Sequence, residues 1–196
     1  MGFDMARIRV AILGAGRIAQ HMADTLVKMA EDVRYADLME PYAVAARNAV
    51  RAADFAAKYG FPVSYGSYEE LVADPNVDLV YIATPHNLHA EQAILCMKAG
   101  KGVLVEKAFG ANAAQTREML AVAKETGMLC AEAIWTRYMR PAPLSIRFSP
   151  PVRLVKYRRS MRTCVTPPPR RRESLIPRLP VAHCWMLAYI RSISST

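Results

Sequence analysis

The chain has 196 residues, 53% of them hydrophobic, and a formal net charge of +9, which suits one domain with an appendage and leaves ample material for a core. No run approaches the 18 or so apolar residues of a membrane span. The start, MGFDMARIRVAILGAG, lacks a signal-peptide layout, and Cys96, Cys130, Cys164 and Cys184 show neither CxxC nor zinc spacing, so a reduced cytoplasmic setting with no metal site is expected.

In chain order, Ile8–Leu13 is a short apolar run with β-branched residues that ends at Gly14, which reads as a buried strand. Apolar residues at Ile18, Met22, Leu26 and Met29 recur at helical spacing. YAVAAR (42–47) predicts a second strand, and NAVRAADFAAKYG (48–60) a helix closed by Gly60. SYEELVADPNV (67–77) reads as a short helix running into a turn, and VDLVYIAT (77–84) as the cleanest strand. NLHAEQAILCMKAG (87–100) is a helix ended by Gly100, and KGVLVEK (101–107) another strand. Residues 112–127 form a helix between an Asn112 cap and Gly127, and MLCAEAI (128–134) a last strand. Strands that alternate with helices and are almost wholly apolar predict an α/β fold, a parallel sheet covered on both faces.

Composition changes near Met139–Arg140. Residues 140–196 hold 12 Lys+Arg against one acid, Glu173, whereas residues 1–139 hold 14 basic and 16 acidic residues. All nine glycines lie before residue 140, and nine of the thirteen prolines after it. The chain therefore divides into a domain of residues 1–139 and an Arg/Pro-rich tail of residues 140–196. Prolines and like charges work against a packed core, so the tail is expected to be poorly ordered.

The first candidate for chemistry is GAGRIA, which places Gly14-x-Gly16-x-x-Ala19 between the first strand and the first helix. The first glycine permits the tight turn, the second lets the backbone approach a pyrophosphate, and Ala19 lets helix and strand pack closely. The helix N-terminus offers free N–H groups to an anion. Gly14, Gly16, Arg17 and Ile18 are thus candidate cofactor contacts, with an ordinary glycine turn as the alternative. After the second strand, where NAD enzymes favour Asp or Glu, stand Ala46 and Arg47. Arg47 suits a 2′-phosphate, which favours NADP over NAD. The alternative is a solvated surface Arg.

The strings VAILGAGRIA, VDLVYIATPHNLHAEQAILCMKAGKGVLVEKAFG and AEAIWTRYM resemble the glucose–fructose oxidoreductase/inositol dehydrogenase (Gfo/Idh/MocA) family. The likeness is greatest to its dihydrodiol dehydrogenase and NADP-dependent xylose dehydrogenase branch, and covers roughly residues 7–139. It implies a doubly wound Rossmann domain, a second α/β domain, and a nicotinamide-dependent oxidoreductase acting on sugars, polyols or diols, often as a homo-oligomer. ATPHNLH matches a family loop in which Thr84, Pro85, Asn87 and His89 line the cofactor. A polar first helical turn is the plainer reading of His86 and His89, and with no third ligand nearby the pair makes no metal site. EKAFG matches the family's Glu-Lys-Pro motif, which implies that Glu106 and Lys107 sit beside the nicotinamide with Lys107 as the catalytic residue, assisting proton transfer. The family's proline is Ala108 here, and proline is the residue that fixes its own backbone. WTRYM implies that Trp135 and Arg137 lie near the cofactor.

The family's second domain is not recognisable after residue 139, so substrate identity is not legible and little dehydrogenase activity is expected from this chain. Two other readings stay open: a non-catalytic nucleotide-binding module, and an Arg-rich nucleic-acid arm carried on VKYRRSMR and PPPRRR. Against the arm, the tail has no Gly, one Lys and no basic stripe interleaved with aromatics. The tail also reads as out-of-frame translation. In a frame shifted by one base, His183–Cys184 and Cys184–Trp185 each force Leu and Trp185–Met186 forces Asp. The shifted stretch can spell GGALLDVGVYP, which is similar to a helix of the family's second domain. The coding DNA decides this expectation.

Overall fold

Six parallel strands form one sheet with the order β3-β2-β1-β4-β5-β6 in the computed structural model, which describes residues 7–134. The strands are β1 (Ile8–Leu13), β2 (Met39–Ala45), β3 (Val63–Tyr65), β4 (Leu79–Ile82), β5 (Gly102–Glu106) and β6 (Cys130–Ala133). The helices are α1 (Arg17–Glu31), α2 (Ala49–Tyr59), α3 (Tyr68–Ala73), α4 (His89–Lys98) and α5 (Ala113–Thr126), with a 3-10 turn at His86–Leu88 leading into α4. This is the doubly wound order of a Rossmann sheet.

Period-two alternation divides the strands between two cores. Val10 and Ile12 of β1, Val44 of β2 and Leu79 and Tyr81 of β4 face one side, where Met22, Leu26 and Met29 of α1 and Phe55 of α2 cover them. Ala11 and Leu13, Ala43 and Ala45, Val80 and Ile82, and Val103 and Val105 face the other, against Leu71 of α3, Ala93, Cys96 and Met97 of α4, and Met119 of α5. Both faces are buried, which is why the strands read as continuous apolar runs.

Helix starts follow their caps. Asn48 accepts from Arg51 N–H at 3.1 Å, Ser67 from Glu70 N–H at 3.1 Å, and Asn112 from Gln115 N–H at 3.0 Å. Gly60 ends α2 with φ +73°, a left-handed conformation that glycine adopts without steric cost.

Two elements differ from the sequence expectation. β2 begins at Met39, three residues early, and carries a bulge: Val10 pairs with Pro41 and Ala11 with Ala43, which leaves Tyr42 as the extra residue. Pro41 cannot donate to a ladder and hides the strand start from propensity. β3, three partly exposed residues at the sheet edge, has no counterpart in the sequence reading, because so short a run gives no period to detect. Trp135, Arg137, the boundary at residue 139 and the whole Arg/Pro-rich tail lie outside the described residues.

Candidate functional site

Strand order reverses between β1 and β4, and in open parallel sheets ligands bind at the carboxyl ends beside that switch point. A cleft of about 540 Å³ opens there. Three turns line it: Gly14–Gly16 after β1, Ala46–Asn48 with Arg51 after β2, and Ala83–Pro85 after β4; Tyr68 of α3 closes one side.

Gly14 makes the first turn possible. Its φ is +104°, and a Cβ on it would stand 3.0 Å from Thr84 Cγ2 and 3.2 Å from the Ala83 carbonyl carbon. Its N–H donates to the Ala45 carbonyl at 2.8 Å, which ties the turn to β2. Gly16 differs: φ is −94°, and nothing lies within 4 Å of its added Cβ. It is the N-cap of α1, and no side chain caps that helix. Together these features make an open, donor-lined start of a helix, suited to a pyrophosphate. Arg17 and Ile18 follow on the exposed first turn of α1.

The second turn supplies cations. Arg47 is exposed at the cleft, and Arg51, one helical turn further along α2, donates from Nη2 to the Ala15 carbonyl at 3.2 Å. Arg51 thus ties the end of the cleft that holds Arg47 to the phosphate turn. Burial pushes the Tyr68 phenol up, and the nearby Arg47 opposes this. Arg51 and Tyr68 escaped the sequence reading. The four-residue spacing from Arg47 was the available signal for Arg51, whereas Tyr68 has none, because only the tertiary fold brings α3 to this edge.

At the third turn Thr84 donates its hydroxyl hydrogen bond to Gln92 Oε1 of α4, and Pro85 and Asn87 are exposed. Thr84 and Pro85 line the cleft together with the glycine turn. His89 stands behind them at 1% exposure. Its Nε2 lies 2.9 Å from the Thr84 carbonyl oxygen and its Nδ1 2.8 Å from the Ala108 carbonyl oxygen.

Glu106 ends β5, the next strand over, and Lys107 follows it. Tyr81 donates its hydroxyl to Glu106 Oε1, and burial, reinforced by that carboxylate, pushes the Tyr81 phenol up strongly. The Lys107 N–H donates to Glu106 Oε2 at 3.1 Å, and the Lys107 side chain is exposed. The Lys107–Ala108 peptide is cis. Among the described residues, no group of three or more His, Cys, Asp or Glu could hold a metal ion, and no helix is long and apolar enough to cross a membrane.

Comparison with known proteins matches the fold. Residues 8–133 fit the profile of an oxidoreductase family with an NAD-binding Rossmann fold. A mouse trans-1,2-dihydrobenzene-1,2-diol dehydrogenase is 44% identical over 140 residues, which cover 71% of this chain and 40% of the relative. A D-xylose 1-dehydrogenase (NADP(+)) from Hypocrea jecorina is 41% identical over 154 residues, 71% of this chain and 36% of the relative. Among solved structures, an NAD-binding oxidoreductase from Klebsiella pneumoniae superposes with TM-score 0.67 at 33% identity, over 71% of this chain and 38% of that one. A 3-ketoreductase from Actinomadura kijaniata, solved with TDP-benzene and NADP, gives 0.62 at 32% identity, over 71% and 42%. The matched region thus spans about 40% of the length of these relatives.

Proposed function

The chain belongs to the Gfo/Idh/MocA oxidoreductase family, with its NAD-binding Rossmann fold, and on that premise we propose that it binds NADP(H) for hydride transfer at a hydroxyl-bearing carbon of a sugar, polyol or trans-dihydrodiol. The bound nicotinamide supplies the hydride acceptor or donor. The observation that carries the cofactor preference is the pairing of Arg47 and Arg51 beside the phosphate turn, where an enzyme selective for NAD would place a carboxylate. Two guanidinium groups suit the 2′-phosphate of NADP, and charge-assisted contacts of this kind are the strong ones.

The residues divide the remaining work. The Gly14–Gly16 turn and the start of α1 accept the pyrophosphate, while Thr84, Pro85 and Asn87 bound the path towards β5. Lys107 lies at the reacting end. Its amine takes the proton that leaves when a hydroxyl is oxidised, and the ammonium so formed returns it to the substrate oxygen when a carbonyl is reduced. The substrate class comes from the relatives, a diol dehydrogenase and a xylose dehydrogenase.

A fluorescence titration tests the cofactor reading. NADPH is expected to bind at least tenfold tighter than NADH, and Arg47→Asp to reverse the order, since losing a charged hydrogen bond costs about 1.5–3 kcal/mol. Tighter binding of NADH by the natural chain, or no response to Arg47→Asp, would falsify it. Turnover of D-xylose or a trans-dihydrodiol with NADP tests the chemistry: little is expected from this chain, in which the family's second domain is not recognisable after residue 139, and robust turnover of either would overturn that expectation.

A further inference from the structure

Three consecutive residues after β5 are each held through their backbone by a side chain. The Lys107 N–H donates to Glu106, which Tyr81 of β4 holds in turn. The Ala108 carbonyl faces Nδ1 of His89, at the start of α4. The Phe109 N–H donates to Glu132 Oε1 of β6 at 3.0 Å. The other nitrogen of His89 faces the Thr84 carbonyl, so one imidazole spans the turn after β4 and the turn after β5. A carbonyl oxygen only accepts, so a neutral ring donates to one of these turns and a doubly protonated ring to both. Gln92, three residues along the same face of α4, accepts from the Thr84 hydroxyl.

Lys107 itself is exposed, and among the described residues no hydrogen bond or ion pair holds its ammonium. Its direction is therefore set by the backbone that carries it. His89 is buried with both nitrogens against backbone carbonyls, which leaves it no polar atom to offer a ligand. Glu132 on β6 likewise spends Oε1 on the Phe109 amide.

We infer that His89 and Glu132 are positioning residues that aim Lys107 at the nicotinamide, His89 through the Ala108 carbonyl and Glu132 through the Phe109 amide. The inference rests on the reading above, in which Lys107 lies at the reacting end of a bound NADP. His89 also fixes the spacing between the Lys107 turn and the Thr84 turn, so the two walls of the nicotinamide end move as one. The adenosine end, at Arg47 and Arg51, is held independently of this clamp.

Limited acetylation of the 196-residue chain, with each lysine read by mass spectrometry with and without NADP, separates aim from affinity. In the natural chain NADP is expected to slow acetylation of Lys107 about fivefold or more. In His89→Phe and Glu132→Leu that protection should fall below about twofold, while NADPH affinity stays within about threefold, because each loses hydrogen bonds worth roughly a factor of ten at most, none of them to the ligand. Glu132→Gln keeps an accepting oxygen and should restore protection. Undiminished protection in both His89→Phe and Glu132→Leu would overturn the inference. So would a parallel loss of protection, NADPH binding and melting temperature, because that marks a structural role only. If the natural chain binds NADPH but Lys107 is not protected, the reading of Lys107 fails first, a result distinguishable from failure of the clamp alone.

Discussion

Gly14 and Gly16 occupy equivalent letters of one motif but answer to different constraints. Gly14 sits at φ +104° with Thr84 Cγ2 3.0 Å from where a methyl would go, so Gly14→Ala is expected to cost about 1–3 kcal/mol of stability. Gly16 has an ordinary φ and free space around its missing side chain, so Gly16→Ala should cost only the poorer N-cap preference of Ala, about 0.5–1 kcal/mol. Its methyl would instead enter the path of the pyrophosphate, and NADPH affinity should fall about tenfold or more, since that approach requires bare backbone. Thermal melts and titrations on both variants check the division: a stable Gly16→Ala chain with natural affinity would remove the phosphate from this turn. The motif announced both glycines but not which constraint each one meets. The cysteines add a second residue-scale expectation. Burial pushes the Cys96 thiol up to about 12 and the Cys130 thiol up to about 11. At pH 7 both should resist iodoacetamide in the folded chain and label on unfolding, as peptide mapping would show, because the thiolate is the nucleophile.

Elements were legible where a local rule fixes them and obscure where a neighbour does. Asn48 and Asn112 stand at helix starts because their side-chain oxygens accept a free N–H, a rule readable in the sequence. Asn112→Ala should therefore cost about 1 kcal/mol in a denaturant melt. NADPH affinity should not respond, as Asn112 is not among the residues that line the cleft. The start of β2, by contrast, follows from pairing with β1 across the bulge at Tyr42, and β3 from pairing with β2, so neither shows in a local pattern. The junction of α3 with these edge strands turns on Asp74. Burial pulls its carboxyl up, but the Asn76 N–H at 2.8 Å, the Tyr65 hydroxyl at 2.7 Å and Tyr42 outweigh it, holding it below its ordinary 3.8. A carboxyl depressed in the folded state stabilises above its unfolded value and loses that contribution as pH falls through the folded one. Asp74→Asn should thus melt below the natural chain at pH 7, and the two curves should converge below pH 3.8. Parallel curves down to pH 2 would show that Asp74 carries no such linkage.

At the scale of the molecule, the alternation of helices and apolar strands foretold a covered parallel sheet, but the order β3-β2-β1-β4-β5-β6 needs a further rule. Right-handed crossovers provide it: the chain winds outward from β1 through β2 to β3, then returns beside β1 to place β4, β5 and β6. The return brings the ends of β1, β2 and β4 around one cleft, which is how Arg51 and Tyr68, unmarked in sequence, join the glycine turn. Both faces of this sheet are buried by helices from within residues 7–134, in two clusters that draw on every helix. A sheet closed on both sides by its own helices meets the requirement for folding as a unit. The change of composition near Met139–Arg140 falls just after β6. A fragment of residues 1–139 is therefore expected to unfold in a single cooperative transition and to bind NADPH within about twofold of the full chain, because the cleft lining found among the described residues precedes the break. Its net charge changes from +9 to −2, so any salt-dependent affinity of the full chain for duplex DNA should vanish in the fragment. Circular dichroism, NADPH titration and a DNA binding series in rising salt decide the matter together. A fragment that fails to fold, or that loses NADPH while the full chain keeps it, would place part of the cofactor domain beyond residue 139.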